Sequence, residues 1–129
     1  AEDGDVRVLM LNGEPIGAMR RRPAAGEARS NVSAGGTVEK YTLNKQDKAL
    51  CKMVGQRLVN DGLYFVGLDL IGGKLIEVNV LSPGGITNIN KLFKVKLQKK
   101  VIDFAEQMIQ QKHRANDRRI QLRNTVANA

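Results

Sequence analysis

Two mostly apolar segments, residues 64–71 and 74–81, are separated by Gly72-Gly73. Gly-Gly between two such runs signals a β-hairpin, and a hairpin constrains everything packed around it. Its register decides which side chains share a face, because the side-chain period of a strand is two. A two-residue loop pairs Ile71 with Lys74 and sends Asp69 and Glu77 to opposite faces. A three-residue loop, with one glycine in the left-handed region and a bulge, pairs Ile71 with Leu75. Asp69 then lies opposite Glu77, and Gly67 opposite Asn79. Only this second register segregates the residue types. It places Tyr64, Val66, Leu68, Leu70, Ile76, Val78 and Val80 on one face, predicted to cover a core, and gathers Asp69, Glu77 and Asn79 on the other.

Carboxylates and an amide inside an apolar hairpin are costly to bury without compensation. Directly opposed side chains lie roughly 5 Å apart at Cβ, a spacing that suits two carboxylates sharing a hard cation. The donors on offer are oxygens, which favour Mg2+, Mn2+ or Ca2+. One His and one Cys leave no zinc set. On spacing alone, an exposed hairpin face with ordinary polar residues fits as well.

The 129 residues suffice for one compact domain with a core. No apolar run reaches the length that spans a bilayer, so no membrane is expected. The lone Cys51 excludes an internal disulfide framework, and a cytoplasmic location is expected. The chain opens with Ala1 rather than Met and enters a strand within five residues, so it is expected to be a fragment or domain of a longer protein. The net charge of +8 points to an anionic partner. Its positive residues include the run Arg20-Arg21-Arg22 and many positions between Lys91 and Arg123. The second group lies on a predicted helix, where scattered Lys and Arg usually form a solvated face.

Residues 6–11 and 14–19 read as two strands joined by a tight turn at Asn12-Gly13. Residues 20–36 are rich in Pro, Ala, Gly, Ser and Arg and read as a long loop, a length that is usually functional or disordered. A short strand is placed at residues 38–42. Asn44 followed by Asp47 resembles a helix cap, and Leu50, Val54 and Leu58 recur with helical period, which predicts a helix over residues 45–60 with a stop at Gly62. Leu97, Val101, Ala105 and Met108 mark a second helix over about residues 91–113. Residues 114–129 are a polar extension or tail. The expected class is α+β, an antiparallel sheet of hairpins packed on two or more helices.

Several stretches together carry a family resemblance. They are Gly4-Asp5-Val6-Arg7-Val8-Leu9, Asn12-Gly13-Glu14-Pro15, Glu27-Ala28-Arg29-Ser30-Asn31 running to Ala34-Gly35-Gly36, Phe65-Val66-Gly67-Leu68-Asp69, and Glu77-Val78-Asn79-Val80 with Ser82-Pro83. In order and spacing they resemble the C-terminal part of an ATP-grasp ligase of the bacterial glutathione synthetase kind, over nearly all of residues 5–108. The resemblance implies the large subdomain of the ATP-grasp fold for residues 1–113, with a mobile substrate loop at residues 20–37. It implies Asp69, Glu77 and Asn79 as Mg2+ ligands, with Mn2+ as a substitute. It implies Asp5 near the nucleotide ribose and Arg7 on the transferring phosphate, with Asn79 also at the nucleotide. Arg21, Arg29 and Asn31 are implied on anionic substrate groups, Arg29 with a catalytic part, and Ser82 and Gly84 in a second substrate loop. The implied reaction joins γ-glutamylcysteine and glycine through an acyl phosphate made from ATP. The family's N-terminal domain and small nucleotide-binding subdomain have no counterpart here, so they are expected partners and the chain alone is expected to be inactive.

Ser82-Pro83-Gly84-Gly85 also resembles the Pro-Gly loop of D-alanine:D-alanine ligases, which keeps another carboxylate–amine ligase in play. A basic nucleic-acid-binding module is the rival of another class, but the chain lacks zinc-finger and aromatic RNA-binding signatures. Homo-oligomerisation is left open.

Overall fold

The computed structural model describes residues 3–26, 35–80 and 83–128. In chain order the elements are β1 (Asp5–Leu11), β2 (Glu14–Arg22), β3 (Thr37–Lys40), α1 (Lys45–Asn60), β4 (Phe65–Ile71), β5 (Lys74–Asn79), α2 (Ile86–Phe93) and α3 (Leu97–Ala127). The strands form one sheet in the order β3-β2-β1-β4-β5, with antiparallel pairing throughout. This is the α+β arrangement expected. The chain divides into two compact units, Ala1–Leu97 and Gln98–Ala129.

In the first unit the sheet is covered on both faces. On one face Val6, Val8, Met10, Ala18, Val66, Leu68 and Leu70 form a core with Cys51 and Leu58 of α1. On the other, Leu9 and Met19 pack with Ile89 of α2 and Leu97. That double cover explains why β1, the central strand, is buried along almost its whole length. Helix α1 begins where its sequence says it should. Asn44 caps it, and Asp47 completes a capping box. It ends in a Schellman motif: the Leu63 N–H bonds the Leu58 carbonyl, the Gly62 N–H bonds that of Val59, and Gly62 takes the positive φ the motif needs.

Both hairpins carry a feature that periodicity did not reveal. The β4–β5 turn is a two-residue loop, with Ile71 opposite Lys74 rather than the predicted Leu75. Gly72 and Gly73 both have positive φ, as a type I′ turn requires. The extra residue sits inside β5 instead, where a bulge at Ile76 shifts the register between Asp69 and Leu70. Asp69 therefore does face Glu77, and Gly67 faces Asn79. The β1–β2 hairpin repeats the device: Leu11 faces Glu14 across Asn12-Gly13, then Ile16 bulges and Leu9 faces Gly17.

Other boundaries also move. β2 runs on through Arg22, so Arg20, Arg21 and Arg22 belong to a strand, and the segment between strands is shorter than the 20–37 loop expected. Residues 27–34 of that segment lie outside the described residues. The predicted 91–113 helix is two helices, broken at Lys94, whose φ of 52° is left-handed. Asn90 closes the break by accepting from the Leu97 N–H with its side-chain oxygen at 2.8 Å. Helix α3 continues well past His113, because no Gly or Pro follows Leu97 to stop it. The apolar face expected of β5 does not cover the core: Ile76, Val78 and Val80 are exposed at the sheet edge.

Candidate functional site

Strand alternation places Asp5, Arg7 and Leu9 on the face of β1 away from α1. The register then lines up Met19, Arg7, Asp69 and Glu77 across four strands. Asp5, Arg7 and Asp69 are all buried, at 7%, 7% and 3% exposure, where an unpaired charge would be prohibitive. They are paired. Arg7 donates from Nε to Asp69 Oδ1 at 2.5 Å and from Nη2 to Oδ2 at 2.9 Å, the two-pronged geometry a planar guanidinium makes with a carboxylate. Its third nitrogen, Nη1, donates to the Gly84 carbonyl at 3.0 Å. Arg21 reaches the same carboxylate, with Nη2 3.0 Å from Asp69 Oδ2. Arg21 is itself gripped by Asp5, through Nε to Oδ1 at 2.9 Å and through Nη2 to Oδ2. The result is a neutral chain of alternating sign, Asp5–Arg21–Asp69–Arg7.

Burial pushes the Asp69 carboxyl up, but hydrogen bonding and charge from Arg7, then Arg21, more than offset it and hold it below the ordinary carboxylate range. Burial likewise lowers Arg21, and Asp5 and Asp69 outweigh that and raise it. Both groups are therefore fixed in their charged forms at neutral pH.

Asn79 and Glu77 extend the cluster to the sheet edge. With its amide turned to satisfy both ends, Asn79 donates to Glu77 Oε1 at 3.2 Å and accepts from Arg7 Nη2 at 3.2 Å. Glu77 is exposed. Among the described residues there is no group of three or more His, Cys, Asp or Glu side chains able to hold a metal ion. The donor set is two carboxylates and one amide, all oxygens, which fits a hard divalent cation that also keeps water or substrate oxygens. A carboxylate has about four acceptor directions, so Asp69 can serve its arginines and a cation together.

Of the residues singled out from sequence, the structure thus brings Asp5, Arg7, Arg21, Asp69, Glu77, Asn79 and Gly84 into one cluster. Gly84 joins it through its carbonyl, which accepts from Arg7 Nη1. Arg29, Asn31 and Ser82 lie outside the described residues. Sequence reasoning missed Gly67. A Cβ on Gly67 would lie 3.2 Å from Arg7 Cδ and 3.1 Å from Pro83 Cβ, so the bare backbone makes room for the arginine stem. The signal was present: an isolated glycine inside a strand often marks a close approach.

The antiparallel sheet thus carries an Asp/Glu/Asn cluster beside two arginines, Arg7 buried and Arg21 partly buried. Residues 1–94 match the family described as prokaryotic glutathione synthetase, ATP-grasp domain, and the chain belongs to that family. It is similar to the glutathione synthetase of Gloeobacter violaceus, with 48% identity over 104 residues, 81% of this chain and 32% of that protein. It is also similar to that of Synechococcus elongatus, with 45% identity over 111 residues, 86% of this chain and 34% of that protein. The chain spans about a third of the length of the curated relatives it matches. No helix among the described residues is long and apolar enough to cross a membrane.

Proposed function

We propose that this chain is the C-terminal ATP-grasp portion of a cytoplasmic glutathione synthetase, which joins γ-glutamylcysteine to glycine with ATP. The observation that carries this is the bulge-set register of β4 and β5, which places Asp69, Glu77 and Asn79 on one face beside Arg7. Asp69, Glu77 and the Asn79 oxygen would hold Mg2+, or Mn2+ in its place, whose chemistry is to neutralise phosphate charge.

In the reaction the γ-glutamylcysteine carboxylate attacks the γ-phosphorus of ATP, the bond to the bridging oxygen breaks, and an acyl phosphate and ADP result. The glycine amine then attacks the acyl carbon, loses a proton, and expels inorganic phosphate. No protein nucleophile is needed. Arg7 is assigned to the transferring phosphate: its fork is occupied by Asp69 and its Nη1 by the Gly84 carbonyl, so it would act there through its fixed positive charge. Arg29 and Asn31, with Ser82 and Gly84, are assigned to anionic groups of the substrates. Closure of the substrate loop that the resemblance implies would keep water from the acyl phosphate. The parts of the relatives that this chain does not span would complete the nucleotide cleft, so the isolated chain is expected to be inactive.

The test is Glu77→Gln in the full-length protein that contains this chain. Turnover should fall by about a hundredfold or more, the scale of losing one preorganised charge at a transition state. Folding should be unchanged, because Glu77 is exposed, and a chelator should abolish wild-type activity. Wild-type turnover in the variant would remove the basis of the proposal.

A further inference from the structure

The geometry points to Asp5 and Arg21 as a positioning pair that sets the Asp69 carboxylate, rather than as direct contacts to nucleotide and substrate. This deepens the proposed function and rests on it.

Asp5 is buried, and both of its oxygens are taken by the Arg21 guanidinium. At 7% exposure little of Asp5 is open to a ribose hydroxyl, and it contacts Arg21 instead. Arg21 spends its Nε and Nη2 on Asp5 and reaches Asp69 Oδ2 with the same Nη2. Arg7 holds Asp69 from the other side. A carboxylate fixed from two sides keeps one orientation, and preorganisation of that kind is what a charge-handling site requires.

The backbone shows how the pair arises. In the register set by the Asn12-Gly13 turn, Asp5 would face Arg20. The extra residue at Ile16 moves the register by one, and Asp5 faces Arg21 instead. The neighbouring arginines are employed elsewhere. Arg20 lies over the Tyr41 ring, and Arg22 bonds Glu39 and Asp3. The bulge thus selects one arginine of three for the Asp69 face.

The experiment compares Asp5→Asn, Arg21→Met, the double variant and Arg21→Lys in the full-length protein. Readouts are kcat, the KM values, and Mn2+ binding in the presence of ATP by electron paramagnetic resonance, with thermal melts to check folding. Positioning predicts that Asp5→Asn and Arg21→Met each lower kcat about tenfold, and that the double variant is no worse, as expected for residues acting as one unit. All three should weaken Mn2+ binding. Charge balance alone predicts otherwise: Arg21→Met should tighten Mn2+ binding and the double variant should return to wild type, and either result overturns the inference. So does a silent Asp5→Asn, a rise only in the KM for ATP, or an Arg21→Met defect far larger than that of Asp5→Asn. If Asp5→Asn does not fold, Arg21→Lys decides: it keeps the charge but loses the fork, and wild-type kcat there overturns the pairing. Glu77→Gln run alongside separates the two readings. A crippled Glu77→Gln with silent pair variants sinks only the inference, whereas an active Glu77→Gln sinks the functional proposal beneath it.

Discussion

The two hairpins, β1–β2 and β4–β5, are built alike and used differently. Each turns through two residues and then bulges at an isoleucine, Ile16 or Ile76, two residues after the returning strand begins. Each bulge lets residues two apart in sequence face opposite sides of the sheet. In β2 this sends Arg21 to Asp5. In β5 it lets Leu75 meet the core while Glu77 faces Asp69. The first hairpin lies inside the sheet, and its Asp5, Arg7 and Arg21 end in internal ion pairs. The second includes the edge strand, on which Glu77, Ile76 and Val78 stand exposed. The same local device therefore yields an internal ion-paired frame in one place and an exposed edge in the other. Position in the sheet makes the difference.

The contrast can be broken most severely at Glu77. There the Gln variant should lose function by orders of magnitude while its thermal midpoint stays put, because an exposed edge residue contributes little to folding. Asp69 should behave oppositely with respect to stability. Asp69→Asn leaves Arg7 buried without its carboxylate, so unfolding in urea should show a loss of about 3 kcal/mol, the scale of breaking one partner from a buried pair. Equal stability of the Asp69 and Glu77 variants would erase the distinction between frame and edge.

Acid titration sharpens it further. Asp69 binds its proton less readily folded than unfolded, since Arg7 and Arg21 outweigh the effect of burial. The unfolded chain therefore takes up more protons as pH falls, and stability falls with it. The contribution should be complete above about pH 4, the ordinary aspartate range, and should drain away as pH drops through the lower folded value. Unfolding midpoints measured from pH 6 to pH 2 should show a shallower acid slope in Asp69→Asn than in the wild type.

Gly67→Ala tests the room beneath Arg7. The added methyl meets Arg7 Cδ at 3.2 Å, and displacement of the arginine should cost about 1–3 kcal/mol by overpacking. The smallest effect is expected on the apolar side of β5. Val78→Thr should change stability by less than about 0.5 kcal/mol, as surface substitutions usually do. Leu68→Ala, directly opposite it on β4 and fully buried, should cost about 2–5 kcal/mol. A large loss from Val78→Thr would mean that the edge is covered.

Local chemistry was legible in the chain. The Asn44–Asp47 capping box, the Gly62 stop, the Asn12-Gly13 turn, the presence of a hairpin at Gly72-Gly73 and the opposition of Asp69 to Glu77 all follow from side-chain and backbone preferences acting over a few residues. The route to that opposition was not legible. Segregation of apolar from polar residues requires one extra residue between Asp69 and Glu77, and a longer turn or a bulge supplies it equally well. Arg20-Arg21-Arg22 read as loop because three charges in a row carry no apolar period, yet alternation within a strand sorts them to two faces with separate partners. Residues 114–129 lacked an apolar stripe, but a helix without Gly or Pro continues on backbone propensity alone.

What the sequence by itself determined was the α+β class, the capped helix α1, the hairpins, and the family to which residues 1–94 belong. These rest on short-range propensity, on period, and on motif order. Only the tertiary structure decided where each bulge falls, which arginine meets Asp5, and that Asp69 is held by two guanidiniums while Glu77 remains exposed. Those outcomes depend on how neighbouring strands register and on which strand ends at the edge of the sheet. Both are set by packing between segments far apart in the chain.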